Sequence, residues 1–183
     1  MNAFALSARL ATCLEEDGLD YAIGGALALT AWAIPRDTKD VDISVFVPVA
    51  ELHRVFDALE RAGVMVDRSD ATRSVNRIGM FTGRSGRTLV DVFVGEHPHF
   101  HAMRARRKQL VYPSGQACWF LSAEDLCVLK LLYGRTKDIA DLERMFAAIP
   151  SLDVDYVRDW LAKLPDAEGK RALLDDLVRR FRP

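Results

Sequence analysis

Val41 to Val47 is rich in β-branched and aromatic residues and stops at Pro48, the pattern of a β-strand. Asp40 and Asp42 sit at its start. In a strand, residues two apart point to the same face, so these two carboxylates project together while Val41 and Ile43 point into a core. A chain built around such a segment needs a sheet with one buried face, and it needs something to offset two adjacent negative charges.

The flanking pattern supplies the rest of a mixed α/β half. Phe4, Leu6, Leu10, Ala11 and Leu14 fit one face of a first helix, ended by Asp17-Gly18. Leu19 to Ile23 reads as a short strand, Gly24-Gly25 as a turn, and Ala26 to Ala33 as an apolar helix stopped by Pro35. Leu52, Val55, Phe56, Leu59 and Ala62 mark another helix, capped by Gly63. Val64 to Asp67, Ile78 to Thr82 and Thr88 to Val94 read as strands, the last two joined by a hairpin turn at Arg84-Ser85-Gly86-Arg87. Weaker strand signals lie near Leu110 to Tyr112 and near Trp119.

From Leu121 the pattern turns helical. Ser122 and Asp125 form a capping box, followed by a stripe of Leu126, Leu129, Leu132 and Tyr133 that ends at Gly134. Further helices are expected over Asp138 to Ala148, over Val157 to Leu164 up to Pro165, and over Leu173 to Phe181. The expected domains are an α/β core over 1–121 and a helical region over 122–183.

The composition, 50% hydrophobic and 28% charged in 183 residues, is that of a globular chain with a real core. A net charge of −1 argues against a bulk polyanion binder, but the basic residues are uneven. Between Arg68 and Lys108 nine basic residues face three acidic ones, enough for a local positive face toward phosphates. Cys13, Cys118 and Cys127 show no C-x-x-C spacing, and the start lacks the pattern of a signal peptide. A cytoplasmic protein with reduced thiols and no membrane partner is expected.

A third acid, Asp91, lies within the apolar run Leu89-Val90-Asp91-Val92-Phe93. A charge in such a run is costly unless it is paired or metal-bound. If that strand neighbours the first, Asp40, Asp42 and Asp91 converge. Three carboxylates can hold two Mg²⁺ ions, a set suited to in-line attack on a nucleoside triphosphate. Gly24-Gly25, at the start of a helix, offers backbone N–H groups to triphosphate oxygens. Each feature also has a plainer reading: exposed acids near a strand start, a salt-bridged edge acid, a simple tight turn.

Gly24-Gly25, Asp40-x-Asp42 and the distant Asp91 together resemble the signature of the polymerase-beta-like nucleotidyltransferase superfamily. The 14-residue gap between Gly25 and Asp40 is similar to that of the abortive-infection nucleotidyltransferase toxins and related uncharacterised bacterial proteins. Leu121-Ser122-Ala123-Glu124-Asp125-Leu126, followed by Lys130, Arg135, Lys137, Asp138 and Asp141, resembles a second segment of that subgroup. The resemblance spans about Tyr21 to Arg144. It implies an α+β nucleotidyltransferase fold, a mixed sheet flanked by helices with a C-terminal helical extension. It implies Mg²⁺ or Mn²⁺ on Asp40, Asp42 and Asp91, and NTP phosphates at Gly24, Gly25 and Lys130, with Asp141 assisting. The acceptor would be tRNA or another RNA, a protein or a small molecule. A cognate antitoxin would be a further partner. An antibiotic adenylyltransferase-like enzyme and a non-catalytic binding module of the same fold are the alternatives.

Other residues carry two readings each. Arg36 and Lys39 either steady triphosphate oxygens or balance local charge, and Thr38 can hydrogen-bond to the turn. Lys130 is either a phosphate ligand or a solvated helix lysine. Asp138 can be a helix cap, and Asp141 with Arg144 a helix ion pair. His97, His99 and His101 suggest zinc or, more simply, a solvated extended loop. Arg104, Arg106, Arg107 and Lys108 suggest a nucleic-acid backbone contact or a solvated helix face.

Overall fold

A computed structural model describes residues 2–34, 36–112, 115–164 and 167–182. Contacts divide the chain into two units, Met1–Ala28 with Asp37–Leu121, and Leu29–Arg36 with Ser122–Pro183. Residues 29–36, expected in the α/β core, thus belong with the helical unit.

The first unit is built on a six-stranded sheet of order β3-β4-β2-β1-β6-β5. Its strands are β1 (Tyr21–Ile23), β2 (Val41–Val45), β3 (Met80–Ser85), β4 (Thr88–Val94), β5 (Lys108–Val111) and β6 (Ala117–Phe120). β2 runs parallel to β4 and β1 to β6, while the pairs β1/β2, β3/β4 and β5/β6 are antiparallel. Val41, Ile43 and Val45 lie in register with Val90, Val92 and Val94, and all six are buried. Helices α1 (Ala3–Glu16) and α3 (Leu52–Arg61) pack on this side, where Phe56 meets Phe81 edge-to-face at 5.4 Å. Alternation along β3 and β4 leaves Met80, Thr82, Arg84, Leu89, Asp91 and Phe93 half-exposed or exposed on the other side.

Three local expectations change. Residues 64–67 are not a strand: Met65 makes a single bridge to Arg84, and Asp67 instead caps the next helix. That helix, α4 (Arg68–Ile78), takes in Ile78 and was not expected, because it buries only Ala71 and Val75. Its signal is in its ends. The Asp67 side chain accepts from the Asp70 N–H, and Gly79 closes it at φ 71. His97 to His101 is not an extended loop. Pro98 is the first residue of α5 (Pro98–Arg106), which is capped by the His97 side chain.

The second unit is helical, with α6 (Ala123–Tyr133), α7 (Thr136–Ala148), α8 (Val154–Ala162), α9 (Ala167–Phe181) and the end of α2 (Gly25–Trp32), the helix that starts in the first unit. α6 is central and packs against α7, α8 and α9. The Ser122 hydroxyl accepts from the Asp125 N–H, and Tyr156 and Ser122 both donate to the Asp125 carboxylate at 2.7 Å. The Arg182 guanidinium, stacked on Phe146, donates to the carbonyls of Ile149 and Leu152.

All three cysteines are buried free thiols. Burial raises each above its ordinary pKa, Cys118 to about 11. Among the described residues no helix is long and apolar enough to cross a membrane.

Replacing the α4 cap, Asp67→Ala, is expected to cost about 1 kcal/mol in urea unfolding, with Asp67→Asn close to wild type. An unchanged midpoint for the alanine variant would remove Asp67 as the helix signal.

Candidate active site

Asp42 and Asp91 are register partners on adjacent parallel strands, so their side chains leave the same face about 4.8 Å apart. Thr82 is the partner of Asp91 on the next strand, and its hydroxyl donates to Asp91 Oδ1 at 2.6 Å. On the other side of Asp42, the antiparallel register of β1 continues into the glycine turn, where the Gly24 N–H donates to the Asp42 carbonyl at 2.9 Å. Three strands and the turn after β1 therefore carry one transverse row: Gly24, Asp42, Asp91, Thr82.

The glycines have a steric reason. Gly25 has φ +55, and a Cβ there would fall 1.9 Å from Asp42 Oδ2. Only glycine lets the Asp42 carboxylate lie against the turn that opens α2. A Cβ at Gly24 would meet Leu121 Cδ1 at 3.3 Å, a milder conflict.

Asp40 stands one step outside the row, exposed, just before β2. Its N–H donates to the Thr38 hydroxyl oxygen and its carbonyl accepts from that hydroxyl, so Thr38 shapes the entry to β2. Among the described residues no three His, Cys, Asp or Glu side chains form a group ready to hold a metal ion. What the structure brings together is a pair, Asp42 and Asp91, with Asp40 just ahead of the strand that carries Asp42. A pair of hard carboxylates still fits Mg²⁺, which is commonly held by one or two carboxylates together with substrate phosphates.

The second unit holds a separate charged cluster. Asp141 is fully buried and accepts from Arg36 (3.0, 3.2 and 3.1 Å), from Lys130 Nζ (2.7 Å) and from Arg144 (3.0 Å). Lys130, itself buried, also lies 3.8 Å from Asp138, which pairs with Arg135 at 2.6 Å. Four cations thus surround two carboxylates. Lys130 directs its ammonium to Asp141 rather than to solvent, while Arg36 and Arg144 are partly exposed. Burial works against the Asp141 charge, but Arg36 and Lys130 outweigh it and hold the carboxyl below its ordinary range.

Elsewhere four residues of the basic segment are paired with carboxylates. Arg68 meets Asp57 and Glu60, Arg73 meets Asp70, and Arg104 and Arg107 share Asp20. The three histidines do not act as a group: His97 caps α5, and His99 is buried within that helix.

Residues 5–171 match the family described as "Nucleotidyltransferase of unknown function (DUF6036)". The chain belongs to this family. It is a nucleotidyltransferase, and its α+β architecture fits the polymerase-beta-like superfamily. No curated protein matches it. Among solved structures it is similar to the antibiotic-resistance factor ANT(2'')-Ia in solution, at 17% identity and TM-score 0.62, over 98% of this chain and 100% of that one. The crystal structure of ANT(2'')-Ia in complex with adenylyl-2''-tobramycin is similar at 16% identity and TM-score 0.55, over 97% of each chain. An antigenic nucleotidyltransferase-like protein from Paracoccidioides brasiliensis is similar at 21% identity and TM-score 0.51, over 93% of this chain and 91% of that one. These likenesses establish the shared fold.

Two of these positions give measurable expectations. Gly25→Ala forces an alanine into a left-handed conformation, a penalty of about 1–2 kcal/mol, and pushes against Asp42. Calorimetry is expected to show that loss, and a smaller one for Gly24→Ala. Asp141→Ala takes from the buried Lys130 ammonium its 2.7 Å carboxylate partner and is expected to cost about 3–5 kcal/mol in urea unfolding. Because the folded-state pKa of Asp141 is lowered, its contribution is complete above the ordinary carboxyl pKa and is lost as pH falls through the folded value. The stability of the variant is accordingly expected to change less with pH at the acid end.

Proposed function

We propose that this nucleotidyltransferase moves an NMP from an NTP to a hydroxyl acceptor, with Mg²⁺ or Mn²⁺ held by Asp42 and Asp91 and joined by Asp40. The observation that carries the reading is the in-register placement of Asp42 and Asp91 on one face beside the Gly24-Gly25 turn. A divalent cation bound there would offset charge on the α-phosphate and on the departing pyrophosphate.

The chain's own groups do the rest. Backbone N–H groups at the start of α2 donate to triphosphate oxygens. Within the helical unit, Asp141 fixes the Arg36 guanidinium, and Lys130 supports that carboxylate. Asp91, oriented by the Thr82 hydroxyl, accepts the acceptor's proton. The acceptor oxygen forms a bond to the α-phosphorus, the bond from that phosphorus to the bridging oxygen breaks, and pyrophosphate leaves. Thr38 fixes the strand entry that carries Asp40. RNA, a protein hydroxyl and a small molecule are all acceptors compatible with this chemistry. Toxicity, with a cognate antitoxin, would follow only from an essential acceptor in the cytoplasm.

Incubation with Mg²⁺ and each labelled NTP, together with total RNA, is expected to release pyrophosphate and label an acceptor. Asp42→Asn is expected to lower that rate about a thousandfold, equivalent to about 4 kcal/mol. Undiminished transfer by the variant, or transfer at full rate in excess EDTA, would refute the metal assignment.

A further inference from the structure

The transverse row in the first unit assigns two sides to the reacting centre. Gly24 lies on one flank of the Asp42–Asp91 pair and β3 on the other. Under the reading above, on which this inference rests, the triphosphate sits at the glycine turn. In-line displacement then brings the attacking hydroxyl from the opposite flank, over β3.

That flank is open and basic. Met80, Thr82 and Arg84 alternate along β3 on the side that bears Asp91, with Leu89 and Phe93 beside them on β4. Arg84 is two residues from Thr82, about 7 Å along the strand, toward the end where Asp40 and the glycine turn lie. Its backbone is held on both edges, by the pairing with Leu89 and by reciprocal bonds with Met65 at 2.8 and 3.0 Å. Arg87 follows in the hairpin turn, exposed, next to Gly86 at φ +58.

Like Arg77 on α4 and Lys108 on β5, these two residues lack a carboxylate partner among the described residues, but of the basic segment only they lie on the β3–β4 hairpin. Arg68, Arg73, Arg104 and Arg107 of the same basic segment each have a carboxylate partner. Among the described residues Arg84 and Arg87 form no ion pair. Two exposed guanidiniums on a hydrogen-bonded hairpin, beside the group that takes the acceptor's proton, suit a phosphate placed near the reacting hydroxyl. They repel a polycationic acceptor of the aminoglycoside kind.

We propose that the β3–β4 hairpin is the acceptor site, and that Arg84 and Arg87 select a hydroxyl compound bearing phosphate. The end of an RNA strand and a free sugar phosphate share this chemistry.

Direct binding without NTP or metal tests the assignment. The probes are a 5′-fluorescein-labelled single-stranded oligoribonucleotide with a free 3′ hydroxyl, read by anisotropy, and ribose 5-phosphate and tobramycin, read by calorimetry. The full chain is expected to bind the oligoribonucleotide, with a Kd that rises about tenfold or more in the Arg84→Glu, Arg87→Glu double variant and with added salt. ATP affinity and the melting temperature are expected to stay at wild-type values. Binding of ribose 5-phosphate alone, lost in the variant, would support the site and identify a small acceptor. Oligoribonucleotide and sugar phosphate affinities that ignore the charge reversal would overturn the proposal. So would a loss of ATP affinity instead, or tobramycin binding to the wild type. Full pyrophosphate release by Asp42→Asn is a separate outcome: it removes the metal assignment, while these affinities still decide whether the hairpin binds phosphate.

Discussion

The Asp42 carboxylate occupies the space where any residue other than glycine at position 25 would place its Cβ. This contact couples three features that are separate in sequence: the turn after β1, the start of α2 and the acidic strand β2. It needs a positive φ at Gly25, the Gly24 hydrogen bond to the Asp42 backbone, and a register that sets Ile23 against Ile43. The parallel pairing of β2 with β4 then brings Asp91 alongside. The neighbouring row of buried valines keeps that register, because a one-residue slip would turn them all toward solvent.

In the helical unit the organising element is the buried carboxylate of Asp141. Its charge would be prohibitive alone and is met by three cations from α6, from α7 and from the segment after α2. The arrangement explains a buried lysine without invoking a ligand for it. It also leaves the more exposed Arg36 and Arg144 fixed in place by a group that water does not reach.

Much of this was legible because strand parity and helical periodicity are local. The strand from Val41, which ends at Val45 rather than Val47, the hairpin strand Thr88–Val94 and the helices of the second half follow from side-chain spacing, as does the projection of Asp42 from the apolar face. α4 was not legible from periodicity, since a helix that buries two small side chains leaves no stripe, and only its caps identify it. Spacing alone puts the hairpin turn one residue too early. Centred on Ser85-Gly86, the turn would set Thr82 opposite Leu89. The observed turn at Gly86-Arg87 sets it opposite Asp91, and only that register reveals the Thr82 hydrogen bond. The expected convergence of three acids was legible for two of them, because parity relates Asp40 to Asp42 but does not decide how far beyond the paired strand Asp40 falls. The link from Arg36 to Asp141 joins residues 105 apart, and no spacing rule reaches that far.

The buried cysteines give the molecule internal reporters. Cys13 and Cys118 belong to the sheet-bearing unit and Cys127 to the helical one, and each thiol is shielded and held in its protonated, unreactive form. Alkylation of any of them must wait for the surrounding structure to open. The rate at which a maleimide reaches each sulfur therefore measures how often that unit breathes, so the two units' local opening can be followed separately in one unmodified chain.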